Sequence, residues 1–237
     1  MSGRLVGVGV GPGDPELLTL KGLRVLREAD QVFVPVADTG EVGRAEATVR
    51  AYVDQNNVKR LLFALSDDEE ARSRNWENAA REVSAALSES RICAFATIGD
   101  PNVYSTFTYL ARTIRQYVLG VEIYTVPGIT AMQDLASRSG TVLLEGGERL
   151  ALLPFTAGEE RLREALDSFE TVACYKGGSR MDDVIGAARE AGRLEGAIYG
   201  ARMGLDGETI APASEMSGRE APYLSTVVFT RKGAEFG

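Results

Sequence analysis

The sequence predicts an α/β fold built as two α/β domains. Short apolar, β-branched runs alternate with longer amphipathic segments along most of the 237 residues, and this alternation is typical of helices that cover a largely parallel sheet. The length allows one large domain or two modest ones. The pattern changes at the pair Pro127-Gly128, so we predict an N-terminal domain over residues 1–125 and a C-terminal domain over residues 126–237.

The N-terminal part predicts five strands and four helices. The first strand is a short apolar run, and the first helix carries a stripe of leucines at helical spacing. The predicted strands cover residues 5–10, 31–35, 60–64, 92–98 and 121–126. The predicted helices cover residues 16–28, 45–52, 76–87 and 107–117, with a polar stretch at residues 66–75 before the third helix.

The C-terminal part continues the same alternation. Its predicted helices cover residues 131–138, 160–168 and 181–191, and its predicted strands cover residues 149–153, 171–175, 196–199 and 224–230. Neither part contains an internal repeat or a low-complexity tract. The two parts therefore have ordinary domain sizes.

The charge and hydropathy limit the partners of the chain. The formal net charge is −8, from 34 acidic and 26 basic residues, and such a field repels the phosphates of a nucleic acid. No run approaches the ~18 apolar residues of a membrane span, and the first residues lack a basic leader and a cleavage site. We expect a cytoplasmic protein without nucleic-acid or membrane partners.

The absence of histidine is the most informative feature of the composition. Most hydrolytic triads and most zinc or non-haem iron sites use an imidazole, so we expect neither such a triad nor a metal. Cys93 and Cys174 each lie in a short apolar run of strand type. Buried free thiols are the favoured interpretation, and they suit a reducing cytoplasm.

The first motif is the glycine-rich segment at residues 7–15, directly after the first strand. The dinucleotide fingerprint G-x-G-x-x-G fails in both registers, because Pro12 or Asp14 stands where the third glycine is needed. The two prolines also remove backbone donors, and Asp14 brings negative charge to a phosphate position. A dinucleotide oxidoreductase is therefore disfavoured, and a structural turn remains an alternative.

Two further motifs follow predicted strands and precede predicted helices. Residues 98–106 contain Gly99-Asp100-Pro101, and residues 126–133 contain Pro127-Gly128-Ile-Thr130-Ala131. Ligands of open α/β sheets bind beyond the carboxyl ends of strands, which favours Asp100 as a binding residue. The alternatives are an Asx turn for Asp100 and helix capping for Ser105, Thr106 or Thr130.

In this order and spacing, the motifs at residues 9–15, 99–101 and 127–131 resemble those of the tetrapyrrole (corrin and porphyrin) methylase family. The resemblance spans nearly the whole chain. It implies the class III methyltransferase fold, in which two α/β domains hold S-adenosylmethionine in a cleft between them. The implied activity is methyl transfer from S-adenosylmethionine, with S-adenosylhomocysteine as the product.

The resemblance also implies a set of cofactor-binding residues, which come from all three motifs and from two later segments. At the later segments the chain departs from the family, since Lys176 stands where relatives often have methionine and the Thr-x-Pro pattern is lacking after Tyr199. The implied set is Pro12, Gly99, Asp100, Val103, Tyr104, Ser105, Thr106, Thr130, Ala131, Tyr175, Lys176, Ala201, Arg202 and Met203.

Within the family, residues 100–110, 223–229, 61–66 and 143–150 resemble the members that methylate C-20 of precorrin-2 or of cobalt-factor II in cobalamin biosynthesis. The choice between the metal-free and the cobalt substrate stays open. Another methylase of the same fold, acting on a different tetrapyrrole, a protein or ribosomal RNA, is the alternative. A non-enzymatic ligand-binding module is a third possibility, but it has no need of all three motifs.

A tetrapyrrole with acetate and propionate side chains needs a local basic cluster in a net-negative protein, because buried carboxylates without partners are costly. Lys21, Arg44 and Arg202 are the candidates by their positions near predicted strand ends. No residue stands out as a general base. The resemblance also implies a homodimer.

Overall fold

The computed structural model describes residues 3–38, 40–63, 69–89 and 91–231. The chain divides into two compact units, Met1–Thr130 and Ala131–Gly237. Each unit contains one five-stranded sheet with helices packed on it, which confirms the predicted two-part α/β fold. The predicted domain boundary between residues 125 and 126 stays a prediction.

The sheet of the first unit is wholly parallel. Its strand order is β3-β2-β4-β1-β5, so the carboxyl ends of all five strands lie at one edge. The central strands β1 and β4 are almost completely buried, as their continuous apolar runs predict. The strands are β1 (Arg4–Gly9), β2 (Gln31–Val36), β3 (Val58–Leu62), β4 (Ile92–Thr97) and β5 (Glu122–Val126).

Four helices cover this sheet: α1 (Leu20–Glu28), α2 (Arg44–Arg50), α3 (Glu69–Ser88) and α4 (Thr106–Tyr117). The helix α1 begins later than predicted, because Pro15–Leu17 forms a separate 3₁₀ turn and Thr19 caps the helix through its Oγ1. The helix α3 begins earlier than predicted. Its first turns are polar but rich in good helix formers, and Glu70 pairs with Arg74 one turn later. Residue 64 and residues 66–68, parts of a predicted strand and a predicted polar stretch, lie outside the described residues.

The sheet of the second unit is mixed, so the prediction of a largely parallel sheet is right only for the first unit. Its order is β6-β7-β10-β8-β9, with β6 parallel to β7 and the other neighbours antiparallel. The strand β9 was not predicted, because it is a short, half-exposed edge strand that ends in proline. The strands are β6 (Leu150–Pro154), β7 (Thr171–Tyr175), β8 (Ile198–Ala201), β9 (Thr209–Pro212) and β10 (Ser225–Phe229).

Three helices pack on the second sheet: α5 (Ala131–Ser139), α6 (Glu159–Ser168) and α7 (Met181–Glu190). The helices α6 and α7 pack on one face of the sheet and form an apolar core with it. This core includes the fully buried Tyr199. On α5, Leu135 packs with residues of β7 and β10. Within the described part of the chain, no helix is long and apolar enough to cross a membrane.

A buried carboxylate fixes α2. The Glu46 side chain is 1% exposed, and it pairs with Arg50 at 2.6 Å and with Arg60 Nε at 2.9 Å. It also accepts a hydrogen bond from the backbone N–H of Gly43 at 3.2 Å. Burial acts to raise the pKa of Glu46, but the hydrogen bonds from Arg60 and Gly43 and the charge of Arg50 together hold this pKa below its ordinary value of 4.5.

We expect Glu46→Gln to lower the free energy of unfolding at pH 7 by about 1–3 kcal/mol, because charged hydrogen bonds are lost from a buried site. Since the folded pKa lies below the unfolded one, this stabilisation is complete above pH ~4.5 and disappears as the pH falls through the folded pKa. Urea unfolding of the wild type and the variant at decreasing pH from 7 measures this. The difference between their free energies of unfolding should become smaller as the pH falls. The control Glu28→Gln removes an exposed pair with Arg24 and should have little effect; equal effects of the two variants would contradict this account.

Candidate active site

The three motif loops converge at the carboxyl edge of the first sheet. The strand β1 lies between β4 and β5, so the loops that follow these three strands are neighbours although they are far apart in sequence. Gly11 and Gly99 form an isolated bridge, in which the Gly99 N–H donates to the Gly11 carbonyl at 2.8 Å. Such an edge is where parallel α/β sheets bind their ligands.

The backbones of the three loops approach so closely that only glycine fits. A Cβ on Gly9 would lie 2.5 Å from the Gly99 carbonyl oxygen and 2.6 Å from the Gly128 nitrogen. A Cβ on Gly128 would lie 2.1 Å from the same carbonyl oxygen. Gly9 of the first motif and Gly128 of the third are therefore required by packing.

Asp100 ties the second motif to the third. Its Oδ2 accepts a hydrogen bond from the Gly128 N–H at 3.0 Å, and its Oδ1 accepts one from the Asn102 N–H at 2.8 Å. The Asx turn, which the sequence left as an alternative, is thus present. Each carboxylate oxygen has a second lone pair, so Asp100 can hold the loops and still accept a hydrogen bond from a ligand.

Beside Asp100 the backbone is open. Gly99 has a φ of 66°, and a Cβ built on it would meet no atom within 4 Å. A ligand can therefore approach the Gly99 backbone from this side, as a cofactor cradle requires. Pro12 lies at the same edge, in the loop after β1, and is buried.

The rest of the second motif makes hydrogen bonds that close its turn and cap α4. The Oγ of Ser105 accepts the Phe107 N–H at 3.1 Å, so Ser105 caps α4, and it also lies 2.9 Å from Thr97 Oγ1. Ser105 is buried, whereas Tyr104 is 45% exposed. The capping alternative for Ser105 is confirmed. Val103 closes the turn by donating its N–H to the Asp100 carbonyl at 3.2 Å, and Thr106 is the first residue of α4.

Three residues other than glycine have a positive φ in the described part of the chain. They are Tyr104 at 48°, Lys176 at 62° and Arg202 at 52°. This conformation costs about 1–2 kcal/mol for a residue with a Cβ, and such strain clusters at functional sites. All three residues belong to the predicted cofactor-binding set.

In the second unit, Tyr175 holds the beginning of α5. Its hydroxyl oxygen accepts the Met132 N–H at 3.0 Å, which satisfies a donor that the helix itself leaves without a partner. Ala131 is the first residue of α5, and Thr130 precedes it. The Tyr175 hydroxyl therefore fixes the segment that follows the third motif.

The segment after β8 at residues 201–203, which we predicted to bind the cofactor, presents one exposed side chain. Ala201 and Met203 are 3% and 4% exposed and belong to the apolar core of the second unit, whereas Arg202 is exposed. A ligand would meet the backbone of Ala201 and Met203 rather than their side chains. Arg202 is the residue of this segment that can bind through its side chain.

Two residues that support the first motif were not predicted. Thr48 Oγ1 donates to the Gly13 carbonyl at 3.4 Å, and the Tyr52 hydroxyl donates to the Pro15 carbonyl at 3.2 Å. Both come from α2 or the turn after it, so the buried Glu46 cluster also supports the loop. The sequence signal for these two residues was their spacing of four, which places Thr48 and Tyr52 on one face of a helix. Many polar pairs on helices have this spacing, so it did not single them out.

Lys21 and Arg44 lie near the same edge. Lys21 is the exposed second residue of α1, and Arg44, which lies just before the predicted helix 45–52, is the first residue of α2. Both helices follow strands of the parallel sheet, so their N-termini lie at its carboxyl edge. Cations are unfavourable at a helix N-terminus by about 0.3–1 kcal/mol, so helix stability does not explain these two residues.

The cysteines offer no nucleophile. Burial raises the pKa of Cys93 to about 11, with the nearby Asp30 adding to the effect, and raises the pKa of Cys174 to about 12. Both are free, buried thiols, as predicted. Among the described residues, no group of three or more Cys, Asp or Glu side chains is placed to hold a metal ion.

Two α/β units and three glycine motifs at one sheet edge define a methylase of the corrin and porphyrin type. Residues 4–216 match the model of the Tetrapyrrole (Corrin/Porphyrin) Methylases, and the chain belongs to this family. It is 40% identical over 173 residues to a "Probable cobalt-precorrin-2 C(20)-methyltransferase" of Methanocaldococcus jannaschii, covering 73% of this chain and 72% of that protein. It is 33% identical over 236 residues to the "Precorrin-2 C(20)-methyltransferase" of a Sinorhizobium species, covering 95% of this chain and 94% of that one.

Solved structures agree on the fold. The methyltransferase CobJ superimposes with a TM-score of 0.73 at 20% identity, over 98% of this chain and 95% of that one. A uroporphyrin-III C-methyltransferase of Thermus thermophilus, complexed with S-adenosylhomocysteine, superimposes with a TM-score of 0.66 at 23% identity, over 97% and 98% of the two chains. The predicted family and fold are therefore confirmed.

We expect Gly128→Ala to lower the free energy of unfolding by about 1–3 kcal/mol, because the new Cβ collides with backbone that cannot rotate away. The amide NMR resonances of Gly9 and Gly99 should shift as the loops separate. The matched control is Gly186→Ala in α7, where a Cβ meets no atom within 4 Å and the helix should gain up to about 1 kcal/mol. A neutral Gly128→Ala variant with unmoved resonances would show that the loops are not closely packed.

Proposed function

We propose that this enzyme methylates C-20 of precorrin-2 or of cobalt-factor II in cobalamin biosynthesis, with S-adenosylmethionine as the methyl donor. The observation that carries the proposal is the 33% identity to a precorrin-2 C(20)-methyltransferase over nearly the full length of both chains. A cobalt-precorrin-2 C(20)-methyltransferase of Salmonella typhimurium, 27% identical over 98% of both chains, supports the same reaction. The alternative, a methylase for another tetrapyrrole, a protein or RNA, has no comparable support.

For the cofactor we propose the residues that the family resemblance implies. The open backbone at Gly99 and the fixed carboxylate of Asp100 suit a ligand with hydrogen-bond donors and a positive charge. When bound, S-adenosylmethionine supplies a methyl group that is already activated. The protein therefore needs to align the acceptor carbon and exclude water, and a chain without histidine or a reactive thiol can do so.

For the substrate we propose that Lys21, Arg44 and Arg202 bind carboxylates. Lys21 and Arg44 occupy helix N-termini where their charge is unfavourable for the helix. Arg202 is exposed in a strained conformation. A bidentate guanidinium–carboxylate pair is strong and selective for geometry.

We also propose that the enzyme is a cytoplasmic homodimer without a nucleic-acid partner. The net charge of −8 opposes binding to nucleic acid. The two buried free thiols suit a reducing compartment. The homodimer follows from the family resemblance.

The decisive experiment supplies the purified enzyme with S-adenosylmethionine and either metal-free precorrin-2 or cobalt-factor II, and identifies the methylated product by mass spectrometry and NMR. One methyl group at C-20 and one equivalent of S-adenosylhomocysteine are expected. Asp100→Ala should weaken S-adenosylhomocysteine binding roughly tenfold or more in calorimetry, since both a ligand contact and the Gly128 link are lost. The control Asp167→Asn, on the exposed side of α6, should bind normally. Methylation at another carbon, or of neither substrate, would contradict the proposed function.

A further inference from the structure

One buried carboxylate joins three parts of the first unit. Glu46 lies in the first turn of α2, and its oxygens accept hydrogen bonds from the Gly43 N–H and from Arg60 Nε on the edge strand β3. Arg50, the last residue of α2, pairs with the same carboxylate at 2.6 Å. The beginning of α2, its end and the strand β3 are thus held by a single side chain.

The beginning of α2 depends on this carboxylate. Gly43 precedes the helix and has no side chain, so it cannot supply the oxygen that usually caps a helix. Glu46 instead accepts the Gly43 N–H, which is one half of a capping box. A Cβ on Gly43 would lie 2.9 Å from the Pro35 carbonyl oxygen, so the glycine lets the helix begin directly against β2.

Arg44 is the first residue of this turn, near the carboxyl edge of the first sheet. Its backbone lies between Gly43 and Glu46, which are bonded to each other. A guanidinium group that forms a bidentate pair with a carboxylate has to keep a defined geometry. The Glu46 carboxylate therefore fixes the backbone from which Arg44 would reach a ligand.

Further along, α2 supports the loop after β1. The buried Thr48 donates from Oγ1 to the Gly13 carbonyl at 3.4 Å, and Tyr52, just beyond the helix, donates from its hydroxyl to the Pro15 carbonyl at 3.2 Å. Both bonds are long for hydroxyl donors, which prefer ~2.7–2.8 Å, so a small shift of the helix would break them. The same loop also accepts the Gly99 N–H at 2.8 Å.

Stability alone does not account for the ion pairs of Glu46 with Arg50 and Arg60. Burying a carboxylate and partly burying two guanidinium groups costs desolvation free energy, and apolar residues of similar volume often stabilise a fold as well. The best-attested use of a buried ion pair is to fix one arrangement of packed elements. Here the arrangement includes Arg44 at one end of α2 and the supported loop at the other.

We propose that Glu46 is a positioning residue for methyl transfer. It fixes α2, so that Arg44 meets a carboxylate of the tetrapyrrole and the loop after β1 keeps its place beside Gly99. This inference rests on the proposed function and deepens it, because Glu46 is buried and acts through Arg44 on the substrate and through Thr48 and Tyr52 on the cofactor loop.

A double-mutant cycle tests the substrate side. Glu46→Gln removes the charge at nearly the same shape, and Arg44→Gln removes the proposed contact with the tetrapyrrole. Glu46→Gln should raise KM for the tetrapyrrole about tenfold, the effect of losing one charge-assisted hydrogen bond. In the Arg44→Gln background it should raise KM no further, because both changes remove the same contact. Glu28→Gln, which removes an exposed pair on α1, is the charge-matched control and should leave KM unchanged.

A second cycle tests the cofactor side. Thr48→Val and Tyr52→Phe together remove the bonds to the loop after β1 and leave Glu46 intact. This variant should weaken S-adenosylhomocysteine binding about threefold or more in calorimetry, with KM for the tetrapyrrole nearly unchanged. Glu46→Gln should weaken the same binding in the wild type and add nothing in this background. Thr113→Val is the control, since Thr113 Oγ1 bonds within α4 to the Tyr109 carbonyl.

Circular dichroism establishes that each variant is folded at the assay temperature. If Glu46→Gln does not fold, Arg60→Gln takes its place, because it removes the link to β3 and leaves the pair of Glu46 with Arg50. The same non-additive rise in KM is expected, with a smaller size.

A folded Glu46→Gln variant with wild-type KM and wild-type S-adenosylhomocysteine affinity would show a role in stability alone and overturn the inference. A rise in KM that adds in full to that of Arg44→Gln, or an Arg44→Gln variant with wild-type KM, would overturn it as well. Failure of the proposed function looks different, since the wild-type enzyme would then neither bind S-adenosylhomocysteine nor methylate a tetrapyrrole.

Discussion

The structure depends on the close approach of three backbone segments at Gly9, Gly99 and Gly128. Any side chain at Gly9 or Gly128 would enter the space of a neighbouring carbonyl or amide group. Because no side chain separates the backbones at Gly9, Gly99 and Gly128, the Asp100 carboxylate can reach the Gly128 N–H, and the Gly99 backbone stays open on its other side. The same close contact that joins the loops thus leaves the Gly99 backbone open to a ligand.

Much of the fold could be predicted because a buried helix face or strand requires apolar residues at a regular spacing in the sequence. The strands β1, β2 and β4 of the first sheet are apolar runs, and all five strands appear in the structure within a few residues of their predicted places. The strand Thr209–Pro212 escaped prediction because half of it faces solvent and its stability comes from pairing with β8. The mixed character of the second sheet also could not be predicted, since strand direction depends on how the connecting segments return and not on local hydropathy.

The candidate site was predictable in part. Motif order identified the loops, but the reason for Gly9 and Gly128 lies in contacts between residues about 30 to 120 positions apart, which no local pattern encodes. The positive φ of Lys176 and Arg202 was likewise invisible, because neither residue type favours that conformation. The side chain of Met203, in a segment predicted to bind the cofactor, packs in the core beside Leu135, and its role in binding stays a prediction.

We propose that the loops at the carboxyl edge of the first sheet hold S-adenosylmethionine. Hydrogen–deuterium exchange of the wild-type enzyme with and without S-adenosylhomocysteine tests it directly, because bound ligand slows exchange of the amides that it orders. We expect bound S-adenosylhomocysteine to slow exchange at residues 99–106 and 127–132, with smaller changes at residues 175–176 and 201–203. If exchange in those segments is unchanged and protection is confined to α6 and α7, which pack on the apolar core of the second sheet, the proposed binding site would be contradicted.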